Sequence, residues 1–273
     1  MKRYRILSFD FDSRAHSLEP VQDHWEEKIK EQHIENQKRC VEGLKIQYGE
    51  RDINNKIQNF IDLKHKPFSV AAFHNKFLEQ IRNAYVVGSY YPALTGACSL
   101  GERILNHLVI LLRDYYKDKT EYKKVYRKKS FDYWPLTINA LGSWEVLLPE
   151  AVSKFQELSE KRNRAIHFNP EIDHNDKKLS LEAIHLIQDI VQIQFSAFGN
   201  QPWCFCVPGE MYIKKDWEEK PFVKHIFIPN SLLVGAKHKI ESIVPEYVIN
   251  DRFDYEDKDI SDEEFSELRK KSR

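Results

Sequence analysis

The stretch Thr95-Gly96-Ala97-Cys98-Ser99-Leu100-Gly101-Glu102-Arg103-Ile104-Leu105-Asn106-His107-Leu108-Val109-Ile110-Leu111-Leu112, running on to Tyr116, is the most apolar helical segment of the chain. Its apolar residues cover a wide arc at helical spacing, and a helix apolar over so much of its circumference must be surrounded by other helices. It is therefore read as the centre of a bundle. Upstream, Ala71 to Tyr90 reads as a helix, with Tyr90-Tyr91-Pro92 marking a turn before the central one. Downstream, 131–148 reads as a shorter helix. Pro149 then opens a helix reaching to about Phe168, a residue type well suited to a first helical turn. Asn169-Pro170 ends that helix, His174-Asn175-Asp176 continues the loop, and Leu179 to Phe198 forms the last long helix. Four or five helices joined by modest loops describe an up-and-down bundle over 67–198.

The flanks differ in character. Residues 1–66 begin with a strand-like stretch, Tyr4 to Phe11, followed by a polar helical segment over roughly 20–62. The thin apolar stripe of that segment (Trp25, Ile29, Ile34, Val41, Leu44, Ile46) predicts an outer layer, and Gly43 and Gly49 predict breaks in it. In 199–273 the runs Trp203 to Val207, Phe222 to Ile228 and Leu232 to Val234 are rich in aromatic and β-branched residues between Pro and Gly. They predict a small β-containing appendage that pairs with the amino-terminal strand, since isolated strand pairs are marginal. Asp251 to Arg273, nine acidic and six basic residues with few apolar ones, reads as a tail or a poorly packed helix. The expected fold class is thus mainly α, with a short amino-terminal strand and a small β-containing carboxy-terminal appendage.

Composition narrows the functional classes. Of 273 residues, 41% are apolar, enough for a full core, and charged residues cancel to zero, so attraction to nucleic acid must come from a local patch. The longest apolar run, Leu108 to Leu112, is far short of the ~20 residues of a membrane span. The start, Met1-Lys2-Arg3-Tyr4-Arg5, lacks the apolar region of a signal peptide, so a cytoplasmic protein is expected. Cys204-Phe205-Cys206 has no second close ligand pair, the next His being His225, and the thiols read as buried and reduced. No metal or other cofactor is expected. Asp10-Phe11-Asp12 resembles the opening of haloacid-dehalogenase-like phosphatases, but Ser13-Arg14 replaces the usual Gly-Thr and no α/β alternation follows.

The chemistry concentrates on the helix from Pro149. With Phe155 set at zero and about 100° per residue, Ala151, Val152, Leu158, Ala165 and Ile166 fall within about 80° of it. Arg162 falls at about 340°, inside that apolar arc, while Asn163 and His167 share its edge at about 80° and 120°. An arginine there is expensive unless it is paired or faces a polar cavity, and such breaks in pattern mark functional sites. The plain alternative is an arginine whose stem snorkels to an acidic partner. Glu102, at the edge of the central helix's arc, is the candidate partner. Arg103 and His107 lie on its more polar side and read as surface or interface residues.

Arg162-Asn163-x-x-x-His167 resembles the Arg-x(4–6)-His signature of the HEPN superfamily, including the polar residue after Arg. Arg82-Asn83-Ala84-Tyr85-Val86-Val87-Gly88-Ser89-Tyr90-Tyr91-Pro92-Ala93-Leu94 resembles a helix junction of the same superfamily. The resemblance covers roughly 71–198. It implies an HEPN-like bundle and metal-independent endoribonuclease activity by attack of the ribose 2′-hydroxyl. It assigns His167 to acid/base work, Arg162 to phosphate stabilisation, and Asn163 to holding the ring or contacting the phosphate, while Glu102, chosen from the helix arcs and not from the resemblance, would fix the Arg162 fork. A single His for a two-proton reaction implies a homodimer with a composite site. Family habit implies a toxin or abortive-infection effector with an antitoxin or activating partner. His167 is followed by Phe168-Asn169, not the His-x-Tyr of toxins modified by a nucleotidyltransferase antitoxin, which puts that regulation in doubt.

An RNA track is expected between Arg113 and Lys129, where eight Lys/Arg outnumber three acidic residues and alternate with Tyr115, Tyr116, Tyr122 and Tyr126. Lys123, Lys124, Arg127 and Lys128 are its expected RNA-binding residues. The competing readings are a non-catalytic HEPN module that binds RNA, nucleotide or a protein partner, and a plain helical dimerisation scaffold.

Overall fold

In the computed structural model, the residues described are 2–6, 12–67, 69, 74–166, 172–196, 201–207, 210–229, 233–234, 239–242, 248–250, 261, 263 and 267. The chain is mainly helical. After strand β1 (Lys2–Ile6) come helices α1 (Arg14–Ser17), α2 (Glu27–Tyr48), α3 (Ile53–Asp62), α4 (Asn75–Val86) and α5 (Tyr90–Leu112). Then follow α6 (Tyr122–Val125), α7 (Trp134–Ser143), α8 (Pro149–Ile166) and α9 (Ile172–Phe195). Beyond them lie β2 (Cys204–Val207), β3 (Glu210–Ile213), α10 (Lys215–Glu218), β4 (Leu233–Val234), β5 (Lys239–Ser242) and β6 (Val248–Asn250).

Helix α5 is the hub, packing on α4, α7, α8 and α9. Leu100, Ile104, Leu105, Leu108, Val109 and Leu112 are all buried, each contributing about 1.5–3 kcal/mol of burial. Two glycines let its neighbours close in. A Cβ at Gly96 would lie 2.9 Å from Ile81 Cγ1 on α4, and one at Gly101 would lie 2.6 Å from the Trp134 ring and 2.8 Å from Leu158 Cδ2. The turn before α5 is carried by Gly88, whose φ of 83° suits a residue without Cβ, and not by the expected Tyr90-Tyr91-Pro92. Those three residues open α5, where proline's missing N–H is harmless.

Other expectations are corrected. α2 runs uninterrupted through Gly43 and stops at Gly49 (φ 76°). His174-Asn175-Asp176 lies inside α9 and not in a loop, although Asn175 breaks the helical geometry with φ −129° and ψ 16°. Phe222 to Ile228 is helical, with a π-type turn over Val223–Phe227, and Val223, Ile226 and Phe227 point inward at helical spacing. Lys224 and His225 divide the run so that its apolar residues fall at 222, 223, 226 and 227, a helical spacing that outweighs the aromatic and β-branched content suggesting a strand. β1 pairs antiparallel with β3 (Arg3 opposite Tyr212) and with β4, in a sheet of order β2-β3-β1-β4, while β5 and β6 pair separately. Apart from 261, 263 and 267, the tail at 251–273 lies outside the described residues.

The amino-terminal helices share the bundle's core: Leu18, Leu44, Phe60 and Leu63 belong to the same buried cluster as α5 and α9. Arg82 locks this union. From α4 it donates through Nη1 to the Leu63 carbonyl at 3.3 Å and to Gln188 of α9, and through Nη2 to the Lys64 carbonyl at 2.9 Å.

Candidate functional site

Helix α8 presents Arg162 toward α5, as the arc predicts. α8 is fixed at its start by Gln194 of α9, which accepts from the Leu148 backbone N–H at 3.0 Å and donates to the Val146 carbonyl at 2.9 Å. Further along, Lys161 pairs with Glu182 of α9. On the other side, Gly101 allows Trp134 and Leu158 to press onto α5, which sets the next residue, Glu102, opposite Arg162.

Arg162 Nη2 donates to Glu102 Oε2 at 3.2 Å, and Trp134 Nε1 donates to the same oxygen at 3.1 Å. The pair is partly screened by solvent: the arginine side chain is 18% exposed and the glutamate 35%. Attraction at that exposure is worth about 0–1 kcal/mol, so the pair orients more than it stabilises. Arg162 Nη1 donates to Asn163 Oδ1 at 3.2 Å, with Asn163 otherwise exposed. Arg162 Nε is buried with no hydrogen-bond partner among the described residues, which costs about 1–3 kcal/mol if left so. One edge of the guanidinium is therefore tethered while another nitrogen is unsatisfied. A fork in that state has donor capacity left for an anion. His167, the residue expected from the sequence to do acid/base work, lies outside the described residues.

One turn after Glu102, the Asn106 side chain donates to the Phe131 carbonyl at 2.8 Å and accepts from the Phe131 N–H at 2.7 Å. This amide anchors the far end of the basic segment to the helix that carries Glu102. Arg113 adds a second hold, its Nη1 donating to the Val125 carbonyl at 2.9 Å and the Lys128 carbonyl at 2.6 Å. Lys123 and Lys124 lie on α6 just before these moorings, and Arg127 and Lys128 lie in the turn beyond, all four exposed. Arg127 lies 5.0 Å from the centre of the Tyr126 ring, and the Tyr122 and Tyr126 rings are 5.5 Å apart. Arg113, counted in the sequence among the track's cations, serves the loop instead.

Sequence reasoning missed two parts of this surroundings. Trp134 shares the Glu102 oxygen, and its sequence reads only as a core aromatic. Arg103 and His107 line a groove of about 880 Å³ together with Glu102, Asn106 and Lys129. Burial lowers the His107 imidazole below its usual range, and the Arg103 charge lowers it further. Burial likewise pushes the Cys98 thiol up to about 12, against a smaller pull downward from Arg162. Cys40, Cys98 and Cys204 are buried. Among the described residues no group of three His, Cys, Asp or Glu side chains is placed to hold a metal ion, and no helix is long and apolar enough to cross a membrane.

A scan against protein families, a search of curated proteins and a search of solved structures each gave no match to this chain.

Proposed function

We propose that the chain is an HEPN-type endoribonuclease that cuts RNA without a metal ion. The observation that carries this reading is the state of Arg162: it interrupts the apolar face of its own helix, is oriented by Glu102, and keeps a buried nitrogen unpaired. The 2′-hydroxyl oxygen attacks the adjacent phosphorus and forms a cyclic phosphate, while the bond from phosphorus to the 5′ oxygen breaks. His167 takes the hydroxyl proton and its counterpart from a second copy delivers one to the leaving oxygen. Arg162 meets the charge growing on the phosphate. Two copies facing one cleft supply the pair of histidines, and the exposed cations at Lys123, Lys124, Arg127 and Lys128 hold the strand. The biological setting that goes with this chemistry is a toxin or anti-phage effector acting in the cytoplasm and restrained or triggered by a partner.

The test is cleavage of a mixed RNA panel by wild type, Arg162→Ala and His167→Ala, each with and without EDTA. Cutting by wild type alone, unaffected by chelator and leaving cyclic phosphate ends, supports the reading. A dimeric wild type that leaves every RNA intact with cell extract supplied as activator sinks it. The contacts of Arg162 with Glu102 and Asn163 also suit a structural arginine. In that second reading the protein is a non-catalytic HEPN module, and it retains RNA without cutting it.

A further inference from the structure

The groove between α4 and α5 is built of two kinds of surface. Its walls are apolar, from Phe77, Ile81 and Ala84 on α4 to Leu100, Ile110 and Leu111 on α5. Its basic residues lie on the α5 side and at the loop that Asn106 moors (Arg103, His107 and Lys129), while α4 adds the amide of Gln80. The volume of about 880 Å³ falls within the range of sites that enclose small organic groups. The Arg103 guanidinium lies 4.8 Å from the centre of the Phe77 ring, so a flat cation and a flat ring already stand together there. Glu102 lines the groove from the end where its other contacts are Arg162 and Trp134.

We propose that this groove seats the bases of single-stranded RNA next to the scissile phosphate, with Phe77 and Arg103 as the stacking platform and His107 as the contact to a base edge. The inference rests on the ribonuclease reading for the word "scissile" alone; the groove as an RNA-binding surface stands without it. Charge decides the occupant. Among the described residues lining the groove, Arg103 and Lys129 are cationic, and Glu102, the acid, is matched by Arg162. From Lys129 the exposed cations continue through Lys128 to Lys124 and Lys123. A polyanion with flat apolar side groups matches a cationic rim over apolar walls, and single strands are held by that combination of backbone neutralisation and stacking. His107 lines the groove one turn along α5 from Arg103, which places its imidazole where a base seated on the Phe77 platform would present an edge.

The test is fluorescence anisotropy with labelled single-stranded RNA oligomers, on the full chain in a His167→Ala background so that the probe stays whole. Leu111 is 52% exposed and Arg103 is exposed, so Leu111→Glu and Arg103→Glu leave the core intact, with circular dichroism as the check. Each is expected to weaken binding at least about tenfold, and Phe77→Ala by about five- to a hundredfold, the worth of one stacked base. His107→Gln is expected to change the ranking among oligo(A), oligo(C), oligo(G) and oligo(U) more than the mean affinity. Unchanged binding by Leu111→Glu and Arg103→Glu overturns the proposal. So does unchanged binding together with a drop in mass by light scattering, which would make the groove an interface between two copies. The two readings fail separately. Wild type that binds through the groove but never cuts removes the nuclease and keeps the groove, and wild type that cuts while groove variants bind normally does the reverse.

Discussion

Arg82 and Arg162 are two arginines on the core-facing sides of their helices, and they are used in opposite ways. Arg82 is 3% exposed and spends its donors on the carbonyls of Leu63 and Lys64 and on Gln188, which itself donates to the Leu63 carbonyl at 3.0 Å. Burial holds it below the usual arginine range, opposed by the charges of Asp12 and Glu79. Arg162 has a single carboxylate contact, shared with an indole, and an unpartnered Nε. A saturated buried cation ties segments together; an unsaturated one at an edge is available to a ligand. The resemblance to a known helix junction ran through Arg82, yet its contacts make it a strut between the amino-terminal helices, α4 and α9.

The contrast can be broken by substituting each in turn. Arg82→Met should show the largest loss of stability, about 2–4 kcal/mol in urea unfolding, because it leaves the Lys64 carbonyl and the buried Gln188 side-chain oxygen without their donor. Arg162→Met should shift the same transition by no more than about 1 kcal/mol, since its ion pair is partly solvated. If both variants lose equal stability, the two arginines do not differ in kind. Gly101→Ala comes next, at about 1–3 kcal/mol of overpacking against Trp134 and Leu158. Because it displaces the Trp134 ring from Glu102, cleavage should fall further than that stability loss explains.

The smallest effect concerns acid. Asp12 is pushed up by burial, but its hydrogen bonds and charge contact with Arg14 outweigh this and leave it below the usual carboxylate value of 3.8. Its folded form thus holds the proton more weakly than the unfolded form, so its stabilisation is present above 3.8 and fades as pH falls through the lower folded value. The stability gap between wild type and Asp12→Asn, followed by urea midpoints from neutral pH downward, should narrow below 3.8. A gap that widens in acid would contradict this.

The pairing of Arg162 with Glu102 was legible because both sit where a helical wheel exposes a mismatch: a cation inside one apolar arc and an acid at the edge of another. The hub helix was legible for the same reason. Arg82 was not, because its partners are backbone carbonyls and a glutamine on a distant helix, and carbonyls have no sequence signature. The first turns of α9 were hidden by residue type, since His174-Asn175-Asp176 favours loops and the structure overrides that preference with one kinked residue. The groove was hidden because it belongs to no single element; Phe77 and Arg103 meet only when α4 lies along α5.

The double anchorage of the basic excursion has a consequence for how such a protein can diversify. Arg113 clasps it at Val125 and Lys128, and Asn106 clasps it again at Phe131, so the stretch where the chain returns to the bundle is tied at both ends to residues of the hub helix and its extension. A change of length at 117–120 would be taken up ahead of these clasps, so the excursion can grow or shrink while the register of the residues around Arg162 stays fixed.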